Sequence, residues 1–223
     1  MTVGYHEREV GRPGVHCVWT RSTEVAGRVL VVPDACVDVI WHRESGRLWV
    51  AGPDTGPQDS VVSAGTLVGI RFLPGDVALG VPASELRDSR VPLDAFWRGA
   101  GVLAARLADC STDAEAQGVL VSAFPCSPDP LIGAVRGMVG VPVREMAARL
   151  GVGERQLNRR CQGAFGYGAK VLHRVLRFQG AVRMARGGGS FADVADRCGY
   201  ADQAHMAREV RGFSGGSLRL LVG

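Results

Sequence analysis

Apolar positions in the C-terminal part of the chain follow a helical spacing that occurs twice. A set at i, i+3, i+4 and i+7 ends in Gly151, and the same spacing recurs 48 residues later and ends in Gly199. The first set is Val143, Met146, Ala147 and Leu150, and the second is Phe191, Val194, Ala195 and Cys198. This spacing places apolar side chains on one face of a helix, and glycine is common just after a helix ends. A second amphipathic segment follows each set, so the pattern predicts a duplicated helix-turn-helix unit.

A long amphipathic helix is predicted between the two units, from Gly168 to Arg186, and the glycines Gly187–Gly189 end it. Its inward apolar face is predicted to hold Val171, Leu172, Val175, Leu176 and Val182. The residues predicted to point outward are Lys170, His173, Arg174 and Arg177.

The first half of the chain has a different pattern, with short β-branched or alternating segments from Gly27 to about Arg90. The segments are Val29–Val32, Val37–Trp41, Leu48–Ala51 and Leu67–Phe72, and turn residues separate them. Their spacing is typical of an antiparallel meander, sandwich or small barrel. Helical spacing begins after Pro92, and a proline-rich stretch follows at residues 124–130. We therefore expect a β-rich domain with a helical connector at residues 1–123, a linker at 124–136 and a helical domain at 137–223.

Charge is distributed unevenly between these parts. Residues 1–130 hold 11 basic and 16 acidic side chains, whereas residues 131–223 hold 15 basic and 6 acidic ones, a net charge of +9. The C-terminal part is therefore a candidate binder of a polyanion.

The polar face of each second helix carries the residues predicted to contact DNA. Arginine can donate two hydrogen bonds to guanine, and asparagine or glutamine can pair with adenine in the major groove. An arginine-rich helix that is merely solvated is the alternative, and the second helix is less decisive because alanines form part of its surface. The candidates are Arg155, Asn158, Arg159 and Gln162 in the first unit, and Gln203, His205 and Arg208 in the second.

Within Val143–Phe213, four stretches carry a resemblance to a known family: Ala147–Val152, Arg155–Arg160, Val175–Gln179 and Cys198–His205. They resemble the DNA-binding domain of AraC-type transcriptional regulators. The resemblance implies two helix-turn-helix units in successive major-groove segments, with base contacts from Arg155, Asn158, Arg159, Gln203 and Arg208. It also implies a bacterial regulator with double-stranded DNA as its partner, and RNA polymerase and a second copy of the chain as further candidate partners. The segment Gly215–Leu221 departs from the pattern with which the family commonly ends.

The first half resembles the N-terminal domain of some AraC-type regulators, through Val32–Trp41, Ala51–Thr55 and Val81–Asp88. The resemblance implies a cupin-like β-barrel that binds a small-molecule effector. The expected fold is therefore α+β with two domains: a cupin-like barrel followed by helices, and an all-α domain with two helix-turn-helix units joined by a long helix. The candidate effector-binding residues are Asp34, Cys36, Asp38, Trp41, Trp49 and Asp54, although core packing is an alternative role for both tryptophans.

Several other classes of function lack a sequence signal. The longest aliphatic run is Val29–Val32, far short of the roughly 20 residues that span a membrane. The six cysteines contain no C-x-x-C pair, and the chain has no His-x-His, so we expect no metal, no cofactor, no catalytic residues and a cytoplasmic location. Two alternatives remain at this stage: a redox sensor, or a DNA-repair protein that accepts alkyl groups, each using Cys17 or Cys36.

Overall fold

The structure is a computed structural model that describes residues 4–126 and 128–223. Residues 1–3 of the predicted β-rich domain and Ser127 of the predicted linker lie outside the described residues. Antiparallel strands form the first half and helices form the second. This order confirms the α+β class and the two-part architecture.

The alternating segments of the first half form antiparallel strands. Those within the described residues are β1 (Gly4–Arg8), β2 (Val15–Thr23), β3 (Gly27–Val31), β4 (Val37–His42), β5 (Leu48–Ala51), β6 (Gln58–Val62), β7 (Gly65–Phe72) and β8 (Arg90–Pro92). Six of them form a sheet in the order β1-β2-β7-β4-β5-β8, and β3 pairs with β6 in a second sheet.

The two sheets do not close into the hydrogen-bonded barrel that the sequence predicted. Within the described residues, β3 and β6 hydrogen-bond only to each other. Pro33 lies just after β3 and Pro57 lies just before β6, and proline has no N–H group with which to extend a ladder. Side chains of the two sheets still pack against one another. This shared cluster contains Cys17, Trp19, Ile40, Val62 and Leu67.

Alternation along the strands divides the six-stranded sheet into two faces. On β4, Val39 and Trp41 point toward the helices α2 (Ala100–Ala108) and α3 (Asp113–Ala123) and join the core there, while Ile40 belongs to the cluster between the sheets. The core under the helices also contains Val18, Val50, Val68, Ile70, Leu103, Leu107 and Leu120.

The remaining helices include two short elements of the first half and the whole of the second half. They are α1 (Ala83–Leu86), a 3-10 helix (Leu93–Ala95), α4 (Pro130–Gly137), α5 (Val143–Arg149), α6 (Glu154–Phe165), α7 (Ala169–Arg186), α8 (Phe191–Arg197), α9 (Gln203–Ser214) and α10 (Leu218–Val222). None of the helices in the described part is both long enough and apolar enough to cross a membrane.

The predicted linker at 124–136 contains structured residues. The strands β1–β8 with α1, α2 and α3 are called the β unit below, and α4–α10 the helical unit. Phe124 packs with Trp97 in the core of the β unit, at a ring-centroid distance of 4.9 Å. Asp129 accepts a hydrogen bond from the Leu131 N–H (2.9 Å) and begins α4, and Ile132 is buried in the core of the helical unit. The two units therefore meet directly, and the domain boundaries stay predictions.

The duplication predicted from the apolar spacing is confirmed. Helices α5 and α6 form the first helix-turn-helix unit, α8 and α9 form the second, and α7 joins them. Gly151 and Gly199 adopt positive φ angles of 66° and 72° in the two turns. Helices α6 and α9 end at Gly166 and Gly215, which are both left-handed, with φ angles of 80° and 70°. The glycine framework repeats because L side chains rarely adopt this conformation.

Candidate nucleic-acid interface and interior cavity

The outer face of α6 is free of the protein core. Leu157, Cys161 and Phe165 are buried on its inner face. The four predicted DNA-binding residues, Arg155, Asn158, Arg159 and Gln162, are all exposed on the other side. Within the described residues, none of these four side chains makes a hydrogen bond or an ion pair with the rest of the chain. This polar face is available for a partner.

The outer face of α9 is similar but smaller. Gln203 and Arg208 are exposed. His205 is half-buried, because its Nδ1 accepts a hydrogen bond from the Ala201 N–H (3.3 Å) and its ring packs edge-on against Tyr200. The Asp202 side chain begins the helix by accepting the His205 N–H at 2.6 Å. The imidazole is thus engaged in closing the turn before α9, while Gln203 and Arg208 remain free to contact a partner.

Helix α7 holds the second unit through a buried carboxylate that the sequence did not single out. Glu209 is 6% exposed and accepts hydrogen bonds from Arg174 Nε (2.8 Å) and from Arg177 Nε (3.0 Å) and Nη2 (2.8 Å). The two guanidinium groups also lie over the rings of Phe213 and Tyr200. Arg174 is exposed as predicted, although its guanidinium also binds α9. The outward placement of Arg177 is wrong, because its side chain is only 20% exposed and is packed against α9.

His173 of α7 was also predicted to point outward, and this is wrong as well. It is 8% exposed, and its Nε2 lies 3.0 Å from the Val135 carbonyl oxygen of α4. Burial lowers the pKa of this imidazole, although the hydrogen bond to Val135 acts in the opposite direction. The prediction of a single buried face is incomplete, because α7 contacts neighbouring elements on several sides.

The first helix-turn-helix unit contacts the β unit at the end of α6. Arg87 Nη1 donates to the Gly166 carbonyl oxygen at the end of α6 (3.2 Å). A Cβ atom on Gly166 would lie 2.7 Å from Pro53 Cγ and 3.1 Å from the Ala83 carbonyl oxygen. Close packing therefore joins the end of the first candidate recognition helix to two segments of the β unit.

A cavity of about 1080 Å³ lies in the β unit and reaches α7. Trp19, Ile40, Leu67 and residues of β3 and β6 line its apolar part. Trp19 lies directly over Gly69, where a Cβ atom would meet the indole ring at 2.2 Å. Arg136, Val139 and four residues of α7 also line it: Leu176, Gln179, Arg183 and Arg186. The helix that joins the two helix-turn-helix units is therefore part of this cavity.

A charged cluster occupies one part of the cavity wall. Arg71 Nε and Nη2 donate to the two carboxylate oxygens of Asp38, each at 2.9 Å. Arg71 Nη1 donates to Glu7 at 3.3 Å, and Asp34 Oδ2 lies 3.5 Å from Arg71 Nε. The Trp19 indole N–H donates to Asp38 Oδ2 (3.1 Å). Burial raises the pKa of Asp34, and the nearby Asp38 adds to this, while Arg71 opposes it.

Four of the six candidate effector-binding residues line this cavity: Asp34, Cys36, Asp38 and Trp49. Trp41 lies on the opposite face of the sheet, 1% exposed, in the core under the helices. Asp54 is buried and binds Arg90 through Oδ2 (2.9 Å), and it does not line the cavity. For Trp41 the core-packing alternative describes its position. Arg71 and Gln179 were not among the residues predicted from the sequence.

The two cysteines considered for redox or alkyl-transfer chemistry are both buried. Burial raises the pKa of Cys17 to about 12. Burial and the adjacent Asp34 raise the pKa of Cys36 well above its ordinary value. Because the thiolate is the nucleophile, these surroundings disfavour both kinds of thiol chemistry. Among the described residues, no group of three or more His, Cys, Asp or Glu side chains has an arrangement that could hold a metal ion.

Two parts of the chain match known family models. Residues 146–219 match a model described as "Helix-turn-helix domain". The C-terminal unit is an AraC-type helix-turn-helix domain. Residues 12–92 match a second model, "Domain of unknown function (DUF6597)", which covers most of the β unit. A search of curated proteins finds no match.

Solved structures show more distant similarity. The C-terminal domain of AraT, a response regulator from Geobacillus stearothermophilus, is 18% identical, with a TM-score of 0.39, over 42% of this chain and 84% of that one. A probable AraC family transcriptional regulator from Rhodopseudomonas palustris is 18% identical, with a TM-score of 0.37, over 42% and 95%. ToxT from Vibrio cholerae, bound to (E)-4-(8-methylnaphthalen-1-yl)but-3-enoic acid, is 8% identical, with a TM-score of 0.49, over 97% and 99%.

Proposed function

We propose that this chain is a sequence-specific DNA-binding transcriptional regulator whose affinity for DNA depends on a small effector bound in the cavity of the β unit. The observation that carries the first part is the duplicated helix-turn-helix framework with an exposed polar face on each second helix. Both faces lie on the part of the chain with a net charge of +9, which favours a phosphate backbone as partner.

Arg155, Asn158, Arg159 and Gln162 of α6 are the proposed base contacts of the first unit. Their side chains are exposed and uncommitted, and they have the donors and acceptors that read base edges in the major groove. Gln203 and Arg208 are proposed for the second unit. His205 is kept as a contact at its margin, because only part of its ring is accessible.

Control by an effector is supported by the composition of the cavity wall. Residues of the β unit form most of it, and the rest includes four residues of α7 as well as Arg136 and Val139. A ligand in the cavity would therefore touch the helix that fixes the two units relative to each other. Differential contact of this kind is what a ligand needs in order to shift a conformational equilibrium. RNA polymerase contact and dimer formation remain predictions.

The proposal is tested by footprinting and randomised-site selection with the full chain. One monomer should protect two major-groove segments about 10 base pairs apart on one face of the DNA. Arg159→Ala should relax base preference in one segment, with a loss of about 1–3 kcal/mol there, and Arg208→Ala should do so in the other.

Arg98→Ala is a matched control, because Arg98 is an exposed arginine of the β unit. It should leave both segments unchanged. Equal weakening of every DNA sequence by Arg159→Ala and Arg208→Ala would mean that both arginines contact phosphates, and the assignment of base readers would be wrong. Absence of sequence preference in the unmodified chain would overturn the proposed function itself.

A further inference from the structure

The cavity lining as a whole holds five acidic residues and six arginines, but the cluster around Arg71 carries more acid than base. Glu7, Asp34 and Asp38 lie around the single guanidinium group of Arg71. All four residues line the cavity, and the side chains of Arg71 and Asp38 are only 22% and 9% exposed. In such a partly desolvated place, unbalanced charge interacts strongly with a ligand. The imbalance favours a positively charged occupant.

Arg71 itself is not available to a negatively charged ligand. Its Nε and Nη2 bind the two oxygens of Asp38, and its Nη1 binds Glu7. An anionic ligand would have to displace one of these carboxylates. Five further arginines line the cavity. Arg90 binds Asp54 (2.9 Å), Arg136 binds Asp76 (3.0 Å), and Arg21 lies over the Tyr5 ring. Arg183 and Arg186 are exposed, so water and salt screen their charges.

Asp34 has an acceptor to spare. Its Oδ1 accepts the Cys36 N–H (2.9 Å), whereas its Oδ2 has a long contact of 3.5 Å with Arg71 Nε. The side chain is about one-third exposed, and it lines the cavity. A cation placed there would gain a full carboxylate oxygen without breaking the Asp38–Arg71 pair.

The adjoining walls suit the body of an organic cation. Trp19 and Trp49 line the cavity beside Ile40, to which Trp49 is paired across the strands. Indole rings attract cations through their faces and bury apolar groups well. An inorganic cation would use neither of these walls, which points to an amine or guanidine with a hydrophobic part.

We propose that the cavity binds an organic cation, whose ammonium or guanidinium group contacts Asp34 and whose apolar body lies against Trp19 and Trp49. This inference rests on the proposed function, since it names the chemical class of the effector. It also places the charged group of the ligand beside the contact between the two units.

The loop Pro33–Cys36 provides that contact. The Pro33 carbonyl oxygen accepts a hydrogen bond from Gln179 Nε2 of α7 (2.6 Å). Ala35 is 1% exposed, has a positive φ angle of 66°, and is packed in the core of the helical unit. Asp34 stands between them and faces the cavity. A ligand that moves Asp34 must therefore act on a segment already packed against the DNA-binding unit.

The test uses two sets of matched probes with the full chain. The first set is tryptamine, indole-3-propionate and tryptophol, and the second is 4-phenylbutylamine, 5-phenylpentanoate and 4-phenylbutanol. Binding is measured by titration calorimetry at pH 7.5 and low salt. In at least one set the amine should bind about tenfold or more tightly than its acid and its alcohol. Binding of the acid or the alcohol as tightly as the amine in both sets, or binding of neither amine, would overturn the inference.

Asp34→Asn removes the charge but keeps an oxygen that can accept the Cys36 N–H. It should weaken amine binding about tenfold or more and abolish the preference for the amine. Asp94→Asn is the matched control, because Asp94 is exposed and lies outside the cavity. Should Asp34→Asn fail to fold, Trp49→Leu must weaken the amine more than the alcohol. Equal weakening of the two would contradict the proposed ring contact.

A gel-shift assay on the same samples separates this inference from the proposed function. Sequence-specific DNA binding without amine binding would overturn only the inference. Amine binding by a chain that has no DNA sequence preference would overturn the proposed function and leave the cation site standing.

Discussion

Helix α9, the candidate recognition helix of the second unit, is anchored inside the helical unit. Helix α6, the candidate recognition helix of the first unit, is also anchored to the β unit. Helix α9 is fixed to α7 through Glu209 and two arginines. Helix α6 ends against Pro53, Ala83 and Arg87 of the β unit. The two helices share one framework of turns and apolar faces, so the difference lies in their partners. An effector bound in the β unit should therefore change the position of α6 more than that of α9.

The largest effect is expected from Glu209→Gln, which removes the charge that both arginines bind. It should lower the free energy of unfolding by about 2–4 kcal/mol, because Arg177 is left partly buried without a counter-charge. Urea denaturation of the full chain measures the loss. Hydrogen exchange should show it concentrated in α9.

Glu145→Gln is the control for that change. Glu145 and Arg149 form an exposed pair four residues apart, so their loss should cost about 0.5 kcal/mol or less. If both substitutions lowered the free energy of unfolding by the same small amount, the conclusion that Glu209 anchors α9 would be wrong.

The next effect compares two equivalent glycines. Gly166 and Gly215 both have left-handed backbones, so alanine at either position should cost about 1 kcal/mol through strain. At Gly166 the added Cβ would also lie 2.7 Å from Pro53, whereas at Gly215 the nearest neighbour, Pro57 Cγ, is 4.0 Å away. Gly166→Ala should therefore destabilise the chain by about 1 kcal/mol more than Gly215→Ala.

Thermal or urea unfolding of the two variants gives this difference directly. Protease cleavage of the segment that joins the β unit to the helical unit should become faster in Gly166→Ala and not in Gly215→Ala. Equal stability and equal protease cleavage of the two variants would show that contact with the β unit does not distinguish α6 from α9.

The smallest effect concerns pH. Burial lowers the pKa of His173 in the folded chain below its unfolded value of about 6.5. The unfolded chain then binds more protons, so this stabilisation is present above about pH 6.5 and is lost as the pH falls through the folded-state pKa. Because His173 joins α7 to α4, acid should weaken that contact.

A melting curve at pH 7.5 and one at pH 5.5 test this. The decrease in Tm between them should be smaller for His173→Gln than for the unmodified chain. A decrease of the same size would assign the pH dependence to other groups.

Sequence periodicity predicted the helical unit well because its framework is local. The i, i+3, i+4, i+7 sets, their terminal glycines and the span of α7 all depend on residues close in sequence. His173 was wrongly placed because it is buried by α4, which lies 38 residues earlier in the sequence. Glu209 was missed for the same reason, since its partners lie more than 30 residues away.

The cavity shows a second limit. Alternation could have separated Asp38 from Trp41, because residues three apart on a strand point to opposite faces. It could not tell which face meets the second sheet. The packing of Ile40 with Val62 of β6 settles that question, and such packing between sheets exists only in the folded chain. Asp34 and Cys36 lie in a loop, where alternation does not apply.

The packing of Gly166 against Pro53 and Ala83 has a consequence for the promoters that such a chain could use. Two DNA-reading helices on one rigid body demand a fixed phase between their half-sites. Because α6 is packed against the β unit, a movement of that unit can change the spacing between α6 and α9 while α9 stays in position. Operators with different spacings between the same two half-sites would then be occupied in different effector states, so promoter spacing, and not base sequence alone, would decide which genes respond.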